Sequence, residues 1–189
     1  LKALVQTLET KQRELQQLEK SLRNLDPLLP YMNLNEDAED DAMSIVEGAD
    51  LFCQSYLDIA DKHEEEFLAI GSSENFWAAS GTSIDSPVER SFVSRRLRNN
   101  MYSRILMVAC DDAEQIASND TKELRTTKQK QTLPVMNDCL MICGDQVSHF
   151  LCDPENPRVV TMKNPQFVAL QKNYFEYINN KEVIFWDKV

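Results

Sequence analysis

Cys139, Cys143, His149 and Cys152 are the densest group of metal-capable side chains in the sequence, a C-x3-C-x5-H-x2-C arrangement. Three thiolates and an imidazole would suit tetrahedral zinc. On a continuous helix, however, Cys139 and Cys143 share one face while His149 and Cys152 point elsewhere, so convergence would need a bend at Gly144. The surrounding Leu140, Met141, Ile142, Phe150 and Leu151 suit core cysteines equally well. The expectation is no metal and no cofactor.

Covalent and acid–base chemistry find still less support. His63 and His149 sit in no recognisable nucleophile–base motif. The chain has no glycine-rich phosphate loop, no G-x-S-x-G and no H-E-x-x-H, the patterns that carry such chemistry. Neighbouring carboxylates such as Asp111-Asp112 reflect abundant charge rather than a dry catalytic site. A non-enzymatic protein is expected, with no catalytic residue nominated.

Binding residues are better represented. Arg90, Arg95, Arg96 and Arg98, followed by Arg104, stand against the single Glu89 over one expected helix. Guanidinium forks grip carboxylates and phosphates, so this face would dock an acidic or phosphorylated ligand, or pair with the chain's own acids. Lys122, Arg125, Lys128 and Lys130 form a second basic group, read as a solubility feature. Ser86-Pro87 would serve as a helix cap or as a proline-directed phosphorylation site. Phe76-Trp77 and Trp186 are aromatics of the kind that close a small core or anchor an interface.

Charge sharpens this picture. Of the net −11, residues 36–66 hold twelve acids against Lys62 alone, leaving 19 acids and 19 bases elsewhere. Excess acid disfavours non-specific nucleic-acid binding, which needs Lys and Arg to displace counterions. Nucleic acid is therefore excluded as an expected partner. The odd count of five cysteines indicates reduced thiols and a cytoplasmic or nuclear setting. No apolar run reaches the roughly 18 residues that would span a bilayer.

The elements that must position these groups read as helices. Leu1, Leu4, Leu8, Leu15, Leu18, Leu22, Leu25 and Leu29 repeat in steps of three and four, interrupted at Lys11. That is a heptad seam which buries itself against another helix. Glu14 at g and Glu19 at the following e would face each other in a parallel homodimer, which favours a hetero-partner or an antiparallel pair. The repeat starts at residue 1 without an initiator Met, so the chain reads as part of a longer protein. Helical spacing predicts a helix over 35–70 and a short one over 74–80 that stops at Gly81. Another starts at the capping box Ser86-Pro87-Val88-Glu89 and runs to about 117, and a further one covers 135–151. Residues 158–162 and 182–186 are β-branched or aromatic runs flanking a helix at 165–179, a small strand–helix–strand unit.

The resulting expectation is a mainly α protein: a coiled-coil arm at 1–29, a helical bundle at 31–153 and a small C-terminal element at 154–189. Its function would be that of a scaffold or adaptor subunit, assembling as a homo- or hetero-oligomer through Leu4, Leu8, Leu15, Leu18, Leu22 and Leu25. The helical body would bind other proteins. Two alternatives are an acidic chaperone for basic clients such as histones, and a helical enzyme or lipid-binding bundle with an internal cavity.

Overall fold

Residue 69 sits in an interior strand of a seven-stranded sheet, where the sequence predicts the end of a long helix. The structure, a computed structural model, describes residues 42–131, 133 and 137–180. The heptad leucines and the 182–186 run lie outside the described residues. The described residues form strands β1 (Ala42–Glu47), β2 (Glu66–Gly71), β3 (Tyr102–Val108), β4 (Arg125–Lys130), β5 (Cys139–Cys143), β6 (Gln146–Leu151) and β7 (Arg158–Lys163) and five helices. These are α1 (Ala49–Ala60), α2 (Ser73–Ser80), α3 (Pro87–Arg98), α4 (Asp111–Ser118) and α5 (Pro165–Asn180). The strand order is β1-β7-β6-β5-β2-β3-β4. The β2–β3 and β3–β4 pairs are parallel and the others antiparallel. The mainly α expectation is thus corrected to a mixed α/β fold, and a helical bundle over 31–153 does not stand.

The correction has a physical cause. Strands in the middle of a sheet covered on both sides bury every residue, so they lose the in–out alternation that betrays a strand. From Phe67 to Gly71 all five residues of β2 are buried, and so are all five of β5. Phe67 and Ala69 enter one core with Phe52, Tyr56, Phe76, Trp77 and Phe92, beneath helices α1, α2 and α3. Leu68 and Ile70 enter the other with Leu140, Ile142 and, from α5, Val168, Phe175 and Ile178. Run together with α1, β2 mimics a 3.6-residue period. The helix predicted over 135–151 is instead the β5–β6 hairpin, turned by Gly144-Asp145 with Gly144 at φ 58°. A Gly-Asp pair between two apolar runs is a hairpin signal.

Local signals at helix ends survive intact. Ser86 Oγ accepts from the Glu89 N–H and Pro87 occupies the first turn of α3. Helix α2 starts at the Ser72 cap and stops at Gly81, which takes the left-handed conformation at φ 64°. Strand β7 and helix α5 match the expected 158–162 strand and 165–179 helix. None of the helices among the described residues is long and apolar enough to cross a membrane.

Gly71 ends β2 because nothing larger fits against β5. A Cβ there would lie 2.5 Å from the Asp138 carbonyl oxygen and 2.8 Å from Cys139 Cα. Backbone atoms of a central strand cannot swing aside as a side-chain tip can. Gly71→Ala should destabilise the fold by about 1–3 kcal/mol, the usual cost of overpacking. Urea unfolding checks this as a lower midpoint at unchanged slope.

Candidate functional site

Open α/β sheets bind ligands outside the carboxyl ends of their parallel strands. Here that crevice lies where β2 runs into Ser72 and α2, and β3 into Cys110 and α4. Hydroxyls and thiols fill it, bonded to one another. Ser73 Oγ and Cys110 Sγ are 3.2 Å apart, and the Cys139 thiol donates to the Ser72 carbonyl at 3.4 Å. The Cys152 N–H donates to Asp138 Oδ1 at 3.0 Å. A hydrogen bond with Cys152, and then burial, raises the Cys139 thiol well above its ordinary value. Burial pushes the Cys143 thiol up to about 11. Thiols held protonated in this way are poor nucleophiles and poor metal ligands.

The four metal-capable residues do not converge. Cys139 and Cys143 stand at opposite ends of β5. Leu140 is paired with His149 and enters the α5-side core, whereas Cys139 lines the other core. His149 therefore lies across the sheet from the cysteines. Its Nε2 is 3.3 Å from Asp138 Oδ2 but outside hydrogen-bonding alignment. Among the described residues no cluster of His, Cys, Asp and Glu could hold a metal ion. His63, expected on a helix, is exposed in the loop between α1 and β2.

The expected arginine face is dispersed as well. Arg95 bonds Asp61 at 2.6 Å, and Arg90 donates to the Asp85 carbonyl. Arg98 is exposed at the end of α3. Arg104 grips Glu176 through both terminal nitrogens, at 2.6 and 2.9 Å, and lies 5.0 Å from the centre of the Phe175 ring. That grip holds the Glu176 carboxyl below its ordinary value. Arg96 is 1% exposed. It donates to the carbonyls of Met101 at 2.7 Å, Leu124 at 3.0 Å, and Glu123.

Around Arg96 a buried charged network braces the β4 end of the sheet. Arg125, its side chain only 4% exposed, bonds Asp120 and Glu123, each at 3.0 Å. Asp120 also accepts from the Thr127 N–H at 2.6 Å and its hydroxyl at 2.8 Å. Deeper in, the Tyr56 hydroxyl donates to Glu89 Oε2 at 2.7 Å, and the Tyr56 ring stacks on Phe92 at 3.8 Å. Glu89, Arg96 and Arg125 border a cavity of about 50 Å³ between helices and sheet. Two other buried groups on its wall, Ser103 Oγ and Trp77 Nε1, lack a hydrogen-bond partner.

The basic edge is the feature that sequence reasoning undervalued. Thr126, Lys128 and Lys130 pair with Arg104, Leu106 and Val108, so they project from β4 on the α5 side. A concavity of about 160 Å³ there is lined by Tyr102, Arg104, Thr126, Lys128, Phe175 and Asn179. Lys128 Nζ donates to the Asn179 carbonyl at 3.4 Å, and the Tyr102 hydroxyl meets Thr126 Oγ1. The signal was in the sequence: between 121 and 131 the only acid is Glu123, against four bases.

Comparison of sequences finds no family model and no curated protein that matches the chain. Solved structures do share its fold. One is TrmBL2, described as an archaeal chromatin protein showing a novel mode of DNA binding, with TM-score 0.51 and 16% identity over 95% of this chain and 68% of that one. Another is NucT from Helicobacter pylori, with TM-score 0.54 and 10% identity over 73% of this chain and 96% of that one. At such identities the likeness establishes a shared α/β fold. The reading of a scaffold or adaptor built on a helical body, and the alternative of a helical enzyme or lipid-binding bundle, fall with the α/β fold. Excluding nucleic acid as a partner does not stand either, since this fold occurs in a DNA-binding protein.

Glu89 gives the buried network a pH signature. Burial raises its carboxyl above the ordinary value, outweighing the opposing Tyr56 hydrogen bond and Arg125 charge. Between the unfolded and the raised folded pKa the folded chain holds the extra proton. This contribution therefore stabilises most below the unfolded value and is lost as pH climbs through the folded one. Glu89→Gln should flatten that fall, read as the difference between the variant and parent urea midpoints at pH 4.5 and 7.

Proposed function

We propose that this chain is a non-enzymatic nucleic-acid-associated protein whose β4 edge meets the phosphate backbone. The observation that carries the reading is the charge asymmetry of the body. Residues 121–131 place Lys122, Arg125, Lys128 and Lys130 against Glu123 alone, in a protein of net −11. Arg125 is committed internally, to Asp120 and Glu123. Lys122 and Lys128, both exposed, supply the phosphate contacts. Tyr102, 38% exposed beside them, offers a ring of the kind on which an unpaired base stacks.

The fold shared with a DNA-binding chromatin protein supports this reading. The bonded thiols and hydroxyls at the strand ends support a role without catalysis. A nuclear or cytoplasmic location fits both.

Fluorescence anisotropy with labelled duplex and single-stranded DNA, from 50 to 200 mM salt, tests the proposal. Binding should weaken as salt rises. Lys122→Glu and Lys128→Glu should each reduce the log–log salt slope by about 0.9 on duplex or about 0.7 on single strands. Intact DNA should be recovered after incubation. Failure to bind at the lowest salt, or variants with unaltered affinity and slope, would remove the reading.

A further inference from the structure

The cavity of about 50 Å³ under the helices lies on the face of the sheet opposite Lys128, and its wall mixes two kinds of surface. Phe67, Phe76, Phe92, Ile105 and Met141 make most of it apolar. Among them stand two polar atoms without a partner, Ser103 Oγ and Trp77 Nε1. Ser103 is 0% and Trp77 7% exposed.

Ser103 Oγ faces this space by strand register. Ser103 lies in one row of the sheet with Phe67 on β2 and Arg125 on β4. Phe67 enters the helix-side core and Arg125 borders the cavity, and residues in register across a sheet share a face. The Trp77 indole is fixed by edge contacts with the Tyr56 ring at 6.2 Å and the Phe76 ring at 4.9 Å. Two bare groups here would forfeit their bonds to water and gain none in return.

We propose that this cavity is a built water site, in which about three or four ordered water molecules carry the hydrogen bonds of Trp77 Nε1 and Ser103 Oγ to the Glu89 carboxyl. The size fits, since each water needs roughly 10–15 Å³ of such space. The chemistry of the wall selects water over an ion. Trp77 Nε1 and the guanidiniums of Arg96 and Arg125 only donate, the ionised Glu89 carboxylate only accepts, and the Ser103 hydroxyl does both. A cation would meet the two arginines and an anion would meet Glu89. Water accepts from the indole and has two protons left for Ser103 and Glu89.

Access is short. Glu89, Ile116 and Arg125 line both this cavity and a surface groove of about 420 Å³ between α3 and α4, so solvent stands on the other side of shared side chains. The cluster bridges α2 through Trp77, β3 through Ser103 and α3 through Glu89. It thereby extends the buried network from the β4 end of the sheet toward its middle.

Water–proton cross-relaxation at the Trp77 indole, in the isotope-labelled full chain, tests the proposal. Trp186→Phe leaves Trp77 as the one tryptophan, which assigns its N–H signal. If that variant misfolds, Trp77→Phe assigns the signal by its loss. A rotating-frame cross peak between the indole proton and water is expected, opposite in sign to the diagonal, and it should persist in chloride-free buffer. Its absence overturns the proposal. So does an indole shift that saturates with added chloride, which would make the occupant an anion. Ser103→Ala reads the same site by the sign of a stability change. Removing a bare buried hydroxyl relieves an unpaired group and raises the urea midpoint, whereas removing a partner of bound water lowers it. A lowered midpoint is expected, and a raised one overturns the proposal.

Discussion

The grip of one buried guanidinium on three backbone carbonyls underlies the β4 end of this protein. Arg96 reaches from α3 to the residues that lead into β3 and β4. Both of those turns contain a non-glycine residue at positive φ, Asn100 at 53° and Leu124 at 47°. For leucine that conformation costs of order 1–3 kcal/mol unless its surroundings hold it in place. Arg96 supplies charge-assisted bonds to the Leu124 carbonyl and to its two neighbours in space, and Ser103 adds its own N–H to the same carbonyl at 3.0 Å. Burial and the neighbouring Arg125 lower the guanidinium's pKa, but arginine remains charged in the physiological range.

The same constraint connects the interior to the surface. Leu124 immediately precedes β4, so whatever fixes its backbone fixes the direction in which Thr126, Lys128 and Lys130 leave the sheet. Asp120 and Arg125 repeat the device one turn away, tying the loop before β4 to α4 through the Ile116 carbonyl. A lysine row on a frayed edge would be a diffuse charge. Held by this buried network, it becomes a row with fixed spacing.

What could be read from the sequence was decided by the range of the signal. The Ser86 cap, the stop at Gly81 and the strand–helix order of β7 and α5 depend on neighbours a few residues apart, and each was legible. The sheet was not. Its central strands alternate between two cores rather than between core and water, so Phe67–Ile70 and Cys139–Cys143 present unbroken apolar runs. The Gly144-Asp145 turn was the local clue that would have divided the supposed helix over 135–151. Of the candidate binding residues, the arginines stood out by number, yet Arg95, Arg96 and Arg104 all turned out to be engaged within the chain. The lysine group was legible as charge, but its position on an exposed strand edge followed only from the pairing of β4 with β3.

The unlike edges of the sheet also set a limit on growth. A sheet with apolar borders on both sides can add copy after copy in the same direction, each new border as adhesive as the last, and so extends into a fibre. Here the border formed by Arg125–Lys130 would bring lysine against lysine, or lysine against the apolar β1. Neither junction compensates the desolvation of the ammonium groups. A contact made through β1 would use the apolar border of the described strands and leave a lysine-bearing one on each side. Any growth of this sheet would be closed by its own charge pattern rather than by a cap.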